Sequence, residues 1–257
     1  MSGSPVLDQF SPAVRAWFET SFPEPTPPQV AGWPTIASGA HTLILAPTGS
    51  GKTLSAFLWA IDRLTSTPPP EERTHRTRVV YLSPLRALAV DVEKNLRAPI
   101  QGIRLAAERL GVPYHEPTVG MRTGDTPADE RRKLIRNPPD VLITTPESLY
   151  LMLTSQARET LQGVEAVIVD EIHAVAKTKR GSHLSLTMER LVEVTDRPDG
   201  PQRIGLSATQ RPLEEIAEFL GGRDDAGSWR RVDIVDAGVR KELDIEVIVP
   251  VEDMGDL

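Results

Sequence analysis

One short segment combines the residue types that bind phosphate groups. The segment APTGSGKT, residues 46–53, follows the apolar run 42–45 and precedes an amphipathic, helix-like stretch. It matches the phosphate-loop pattern except that Ala46 replaces the first glycine. Glycines let the chain wrap closely around an anion, Lys52 would reach the β- and γ-phosphates, and the Thr53 hydroxyl would coordinate Mg²⁺. The predicted ligands of ATP and Mg²⁺ are Thr48, Gly49, Ser50, Gly51, Lys52 and Thr53.

A second group of polar residues follows a different apolar run. Residues 166–169 lead directly into Asp170, Glu171 and, two positions later, His173. A carboxylate at the end of a buried strand suits a Mg²⁺-holding position, which we assign to Asp170, with Glu171 as the general base that orients water. His173 would hydrogen-bond across the site and sense the nucleotide. The alternative is a solvated acidic strand end followed by a core histidine.

The apolar runs around these residues predict the fold class. They are short and continuous rather than alternating, which is typical of strands covered on both faces. The five runs are 42–45, 79–82, 141–143, 166–169 and 204–206. Helical patterns lie between them, in 53–64, 85–110, 148–153 and 213–220, and we expect Pro99 to break the second. The sequence therefore predicts an α/β domain with a mainly parallel sheet, helices on both faces and ligands at the carboxyl ends of the strands.

Composition limits the classes of function. The chain has 257 residues, a net charge of -7 and a pI of about 5.4, which argues against coating nucleic acid through a general basic field. It has no cysteine, so disulfides and thiolate metal sites are excluded. No apolar run approaches transmembrane length and the first residues do not resemble a signal peptide, so we expect a cytoplasmic protein without a membrane partner.

Taken together, the motifs resemble those of superfamily 2 helicases. Segment 46–53 is similar to motif I, in which alanine is common at the first position. Segment 170–173 is similar to motif II in its D-E-x-H form, and segment 207–209 is similar to motif III. Further similarities are found in 83–88 (motif Ia), 145–148 (motif Ib), 123–125 (the Thr-Gly step) and 26–29 (the Q motif). The resemblance is most specific to the large helicase-related (Lhr) family. The stretches that carry it are 22–29, 83–89, 170–174 and 244–254.

This resemblance implies a RecA-like P-loop domain with defined binding residues. It implies an ATP-dependent DNA or RNA–DNA helicase or translocase of 3′→5′ polarity, linked to DNA repair. Thr26 and Gln29 would contact adenine, while Ser207 and Thr209 would couple the ATP state to the nucleic acid. Single-stranded nucleic acid, which we expect to be DNA, would contact Pro84, Arg86, Thr123, Gly124, Thr145 and Ser148.

Each of these assignments has a plainer alternative. Segment 145–148 also fits a helix N-cap followed by proline at the first helical position. Arg86 could be a surface cation, Gln29 a surface glutamine, and 207–209 a helix cap. The aromatic residues near the N-terminus fit local core better than an adenine platform. At the level of function, the alternatives are a P-loop kinase or switch NTPase that ignores nucleic acid, and a non-catalytic module that uses the fold for partner binding.

The motif set also predicts the domain organisation. Residues 1–240 would form one RecA-like domain, with the Q-motif residues in an N-terminal segment 1–40. Residues 241–257 would be a strand or linker leading into a second RecA-like domain. Because no second motif set follows 207–209, we expect the chain alone to bind nucleotide, hydrolyse it poorly and not unwind a duplex.

Overall fold

The computed structural model describes residues 4–208 and 212–238. Within these ranges, seven strands form one entirely parallel sheet in the order β3-β4-β2-β5-β6-β1-β7. The strands are β1 (His41–Leu45), β2 (Val79–Leu82), β3 (Val119–Arg122), β4 (Val141–Thr144), β5 (Ala166–Val169), β6 (Gln202–Ser207) and β7 (Val232–Asp236). Predictions that fall on Thr209, 244–254 and the proposed linker 241–257 lie outside the described residues.

Helices cover both faces of the sheet. They are α1 (Pro12–Ser21), α2 (Pro27–Ala37), α3 (Lys52–Ser66), α4 (Arg86–Leu110), α5 (Ala128–Arg136), α6 (Pro146–Leu153), α7 (His173–Ala176), α8 (Lys179–Val192) and α9 (Leu213–Gly221). Short 3-10 segments occupy Pro5–Gln9, Arg73–His75 and Gln156–Leu161. None of the helices in the described ranges is both long and apolar enough to cross a membrane.

Two hydrophobic cores result from the alternation of side chains along each strand. Ile44 of β1 packs into a core with α1, α2, α3 and α4. Its neighbours Leu43 and Leu45 pack into the other core, with α6, α8 and α9. Successive residues of a strand point to opposite faces, so a strand buried on both faces must be apolar throughout. The predicted doubly covered parallel sheet is thereby confirmed.

An aromatic cluster attaches the N-terminal helices to the first core. Trp33 of α2 is fully buried, lies edge-on to Phe18 at 5.5 Å, and lies edge-on to Phe10 at 4.9 Å. Its Nε1 donates a hydrogen bond to the Ser55 carbonyl of α3 at 3.0 Å. These aromatic residues are core, as the sequence favours, and they fix α2 against the helix that follows the phosphate loop.

The prediction that Pro99 breaks its helix is wrong. Helix α4 runs through Pro99 without interruption. A proline inside a helix removes one hydrogen bond and crowds the preceding turn. Here the buried stripe continues on both sides of it, through Leu96, Ile100 and Ile103. Core packing on both sides of the proline therefore holds the helix in one piece.

Two edge strands were not among the predicted strands. Strand β3 contains Gly120, and among the described strands it is bordered only by β4, as strand β7 is bordered only by β1. Both are less buried than the inner strands. An edge strand does not need a continuous apolar run, so the signal that identified the inner strands is missing from these two.

Candidate active site and nucleic-acid interface

The strand order divides the edge of the sheet formed by the carboxyl ends of the strands into two neighbouring halves. The carboxyl ends of β1, β6 and β5 carry the phosphate loop, Ser207 and Asp170, and we call them the nucleotide half. The carboxyl ends of β2, β4 and β3 carry 83–86, 145–148 and 123–124. We call them the strand half, after the single strand of nucleic acid that the sequence predicts there. The border runs between β5 and β2, where Asp170 N donates to the Leu82 carbonyl at 2.9 Å.

The phosphate loop has the backbone conformation that only glycine adopts easily. Gly49 and Gly51 have φ angles of +81° and +85°, and Gly51 caps α3. Lys52 begins that helix and is only 4% exposed, yet its Nζ has no hydrogen-bond partner among the described residues. The same holds for the buried Ser50 Oγ. Thr48 is exposed and Thr53 is half-buried on the first turn.

The acidic residues converge on Lys52. Glu171 Oε1 lies 3.2 Å from Lys52 Nζ, an ion pair that leaves the ammonium without a well-directed hydrogen bond. Glu171 has a φ of 45°, which makes it the one non-glycine residue of the described ranges in the left-handed region. Residues held in this region are strained, and such strain is concentrated at functional sites.

Asp170 is buried beside a tyrosine. The Tyr81 hydroxyl donates to Asp170 Oδ2, and the Glu171 amide donates to Oδ1 at 2.9 Å. Burial raises the pKa of the Asp170 carboxyl above its ordinary value, and the Tyr81 hydrogen bond acts in the opposite direction. Sequence reasoning located Asp170 but missed Tyr81, because a tyrosine within an apolar strand looks like any other core residue.

His173 connects the acidic residues to the end of β6. Its Nδ1 lies 3.4 Å from Glu171 Oε2, 3.2 Å from Ser207 Oγ and 3.3 Å from the Ala208 amide. Ser207 Oγ also donates to the Ala208 carbonyl at 2.9 Å. One imidazole nitrogen therefore faces groups from both strand ends, which is the arrangement that a relay between them needs.

The Q-motif residues pack directly against the phosphate loop. Gln29 is buried, and its Oε1 accepts a hydrogen bond from the Thr26 amide at 2.9 Å. A methyl group placed on Gly51 would lie 2.9 Å from Gln29 Nε2 and 3.1 Å from Thr26 Oγ1. Thr26 Oγ1 is buried without a partner in the described part of the chain. These two residues thus lie beside the nucleotide half, and their contact with adenine stays a prediction.

In the strand half, an arginine that the sequence reasoning missed connects two motifs. Arg180 of α8 donates from Nη2 to the Pro84 carbonyl at 2.9 Å and from Nε to Glu147 Oε1 at 2.7 Å. Pro84 itself is buried. A single arginine early in a helix gives no sequence signal for this role, because the two motifs meet only in the folded chain.

The remaining strand-half residues already have protein partners. Exposed Arg86 forms an ion pair with Asp125. Thr145 is the N-cap of α6, and its Oγ1 accepts from the Ser148 amide at 3.4 Å and donates to Ser148 Oγ at 3.1 Å. The N-cap alternative is therefore correct as a description of local structure, and it leaves contact with nucleic acid open. These residues border the same sheet edge.

The Thr-Gly step lies at the outer end of the strand half. The buried Thr123 amide donates to Thr126 Oγ1 at 2.9 Å. The Gly124 carbonyl accepts from Arg131 Nη2 at 2.6 Å, and the Thr126 carbonyl accepts from Arg131 Nε at 2.7 Å. Arg131 therefore holds this turn in place from helix α5, a role that the sequence did not indicate.

Known proteins match this chain over most of its length. The family model for DEAD/DEAH box helicases matches residues 26–218. The Lhr helicase/probable uracil glycosylase of Mycolicibacterium smegmatis is 57% identical over 256 residues, which cover 100% of this chain and 16% of that protein. The Lhr helicase/uracil glycosylase of Escherichia coli is 51% identical over 97% of this chain and 16% of its own length. The ATP-dependent helicase Lhr-Core of Methanocaldococcus jannaschii is 44% identical over 93% of this chain and 28% of its own length.

Solved structures agree with these similarities. The structure of Mycobacterium smegmatis helicase Lhr bound to ssDNA and AMP-PNP has a TM-score of 0.83 and 57% identity, and covers 91% of this chain and 28% of that one. The DUF1998 helicase MrfA bound to DNA has a TM-score of 0.70 at 22% identity and supports the fold alone. The chain spans less than a third of the length of these relatives. With its parallel sheet and its motifs in the order of the family, the chain belongs to the DEAD/DEAH box helicases and carries the RecA-like domain of the Lhr type.

Proposed function

We propose that this chain is the ATP-binding motor domain of an Lhr-type helicase that translocates along a single strand of DNA. The observation that supports this most directly is the continuous arrangement of Lys52, Glu171, His173 and Ser207 across the strand ends of the nucleotide half. In the full protein, a second RecA-like domain would face this edge. We also propose that this helicase moves with 3′→5′ polarity, acts in DNA repair and is located in the cytoplasm.

The residues present fit ATP and Mg²⁺. Lys52 Nζ and Ser50 Oγ are buried polar atoms without hydrogen-bond partners in the described ranges, and both belong to the phosphate loop or the first turn after it. Leaving such atoms unpaired is costly unless a ligand satisfies them. Thr53 and Asp170 would supply protein-side ligands of Mg²⁺, which takes its remaining ligands from phosphates and water at sites of this kind. When bound, Mg²⁺ would neutralise charge that develops on the phosphates.

The ion pair of Lys52 and Glu171 suggests how the protein side of hydrolysis is organised. A phosphate bound at Lys52 Nζ would compete with the Glu171 carboxylate for the same ammonium group. Phosphate binding would therefore weaken the ion pair between Lys52 and Glu171. The released carboxylate would then orient a water molecule and accept its proton, as a general base does. His173 would transmit the change in Glu171 to Ser207, because its Nδ1 lies 3.2 Å from Ser207 Oγ.

The strand half would bind the nucleic-acid backbone rather than its bases. The relative with the highest structural similarity quoted above is bound to ssDNA. Strand ends followed by helix N-termini offer amides and hydroxyls to phosphates, and such contacts position a strand without reading its sequence. Aromatic residues make up 5% of the chain, which leaves little material for base stacking.

The first test is a titration of a fluorescent ATP analogue with Mg²⁺, with and without single-stranded DNA. It compares the unmodified chain with Lys52→Ala and with the control Lys94→Ala, which removes a lysine from the exposed surface of α4. Losing a charged hydrogen bond costs about 1.5–3 kcal/mol, so Lys52→Ala should weaken binding roughly ten- to a hundredfold. Lys94→Ala should bind like the unmodified chain.

The two readouts of this titration address different parts of the proposal. Equal affinity in Lys52→Ala and in the unmodified chain would refute the nucleotide site. Binding that depends on Lys52 and also shifts with DNA supports a motor domain. Binding that depends on Lys52 but ignores DNA would favour a P-loop kinase or switch NTPase, unless a longer chain that includes the second domain restores the shift.

A further inference from the structure

A buried arginine next to the strand half has no side-chain partner among the residues that the structure describes. Arg122 ends β3 and is 8% exposed, and its Nη1 has no hydrogen-bond partner in the described ranges. No ion pair joins it to a carboxylate of the described residues. Buried arginines are normally paired, because an uncompensated charge away from water is strongly destabilising. Its surroundings are therefore unusual for a purely structural residue.

The strand geometry shows which side of the sheet this guanidinium occupies. Val119 and Met121 of β3 pack against the core of α1 to α4, so Gly120 and Arg122 face the opposite side. There, a methyl group on Gly120 would lie 2.9 Å from Leu134 Cδ2 of α5. Arg122 is two residues closer to the carboxyl end of the strand and lies on the same face as Gly120.

A second arginine occupies this region and is fixed in position. Arg131 of α5 lies about one helical turn before Leu134, and its guanidinium holds the Gly124 and Thr126 carbonyls. Burial, and after it the positive charge of Arg131, lower the pKa of Arg122. Two like charges near each other, one of them buried and unpaired, make a local positive field that an anion would relieve.

We propose that Arg122, together with Arg131, forms a binding site for one backbone phosphate of the single strand, at the outer end of the strand half. This inference rests on the proposed function and makes it more specific. Arg86 is less suited to the task, because Asp125 already neutralises its charge. Planar guanidinium groups bind phosphate in a defined geometry, so the site would fix the register of the strand on the sheet edge.

The test measures binding of a labelled oligo-dT strand over a range of salt concentrations. It compares the unmodified chain with Arg122→Gln and with the control Arg132→Gln, which removes the same charge from an exposed position on α5. Arg122→Gln should weaken binding roughly tenfold and reduce the slope of log affinity against log salt by about 0.7, the value for one phosphate contact on a single strand. Arg132→Gln should keep the slope. An unchanged slope in Arg122→Gln, or an equal loss in both variants, would overturn the site.

Thermal unfolding separates a binding role from a structural one. If Arg122 serves to bind phosphate, Arg122→Gln should unfold at the same temperature as the unmodified chain or at a higher one, because an unpaired buried charge has been removed. A clearly lower unfolding temperature would show that the arginine holds the fold together and would overturn the inference.

A final measurement keeps this site distinguishable from the proposed function. In the Lys52→Ala background, which removes the phosphate-loop lysine, inorganic phosphate should still raise the unfolding temperature, since a ligand that binds only the folded state stabilises it. Adding Arg122→Gln should abolish that rise, and an undiminished rise would refute the site. If neither this chain nor a longer chain that includes the second domain binds oligo-dT, the proposed function fails, and the response to phosphate alone decides the role of Arg122.

Discussion

At the scale of single residues, Asp170 shows how the fold controls the ionisation of a carboxylate in the candidate active site. It is buried at the end of β5 and receives hydrogen bonds from the Tyr81 hydroxyl and the Glu171 amide. Burial raises its pKa, so the folded protein binds the carboxyl proton more tightly than the unfolded chain does. The contribution of Asp170 to stability is therefore present below the pKa of the unfolded chain and is lost as the pH rises through the folded pKa.

This loss of stability with rising pH leads to a prediction about Asp170→Asn. Asparagine does not ionise, so the variant should become more stable relative to the unmodified chain as the pH rises from about 4 toward neutral. At neutral pH we expect a difference on the order of 1 kcal/mol, the usual scale for one buried polar interaction. Urea denaturation at a series of pH values measures it. Binding of the ATP analogue to the variant should also lose its dependence on Mg²⁺.

The matched control for this prediction is Asp91→Asn. Asp91 is exposed on α4, so its substitution should change stability little and equally across the pH range. If Asp170→Asn and Asp91→Asn show the same pH dependence, the burial of Asp170 does not control its ionisation.

Residue types and spacing were enough to select the residues that the fold brings together in the nucleotide half, but not their supporting contacts. Lys52, Asp170 and Glu171 follow from motifs that a local stretch of chain contains. Tyr81 and Arg180 act through contacts with residues far away in the sequence. Such contacts depend on how the strands are ordered in the sheet, and a local pattern contains no information about that order.

At the scale of elements, the junction of α2 with the phosphate loop can be tested with a matched pair of glycines. Gly51 and Gly39 both have a φ of +85°. A methyl group on Gly51 would meet Gln29 and Thr26, whereas one on Gly39 would have no atom within 4 Å. The two positions therefore share the same φ angle, and they differ in the contact with the Q-motif residues and in the place of Gly51 within the phosphate loop.

We predict different outcomes for Gly51→Ala and Gly39→Ala. Both should lose about 1–2 kcal/mol of stability, because a residue with a side chain is strained in the left-handed region. Only Gly51→Ala should also weaken binding of the ATP analogue, since it displaces Gln29 and Thr26 from the loop. Chemical denaturation and the nucleotide titration measure the two effects. Equal nucleotide affinity in both variants would show that the Q-motif contact does not support the site.

The strands that the sequence predicted correctly are those that are buried on both faces. An inner strand must be apolar on both faces, and this requirement makes runs such as 141–143 recognisable. Strands β3 and β7 lack it because each has one neighbouring strand within the part of the chain that the structure describes. Helix α4 shows the opposite case, since the local signal of Pro99 is strong and tertiary packing overrides it.

At the scale of the whole molecule, the sheet edge presents the nucleotide half and the strand half side by side, and the proposed function places a second RecA-like domain against this edge. An arginine supplied across such a gap accelerates phosphoryl transfer about 10³- to 10⁵-fold in related NTPases. We therefore expect the 257-residue chain to bind nucleotide, to hydrolyse it slower by about that factor than a longer chain with both domains, and not to unwind a duplex. Phosphate release and displacement of a labelled strand, measured on both proteins, test this. Rapid unwinding by the 257-residue chain would contradict it.

The hydrogen bond from Asp170 N to the Leu82 carbonyl bears on the speed of communication within such a motor. This bond joins the nucleotide half to the strand half through the backbone, and the next bond in the series runs from Ser83 N to the Thr144 carbonyl at 3.0 Å. A packed protein interior is stiff and transmits displacement. A shift at the nucleotide would thus cross to the strand half by elastic deformation, with no loop that must first reorganise. The slow steps of the cycle would then lie in the approach and departure of the second domain and the ligands.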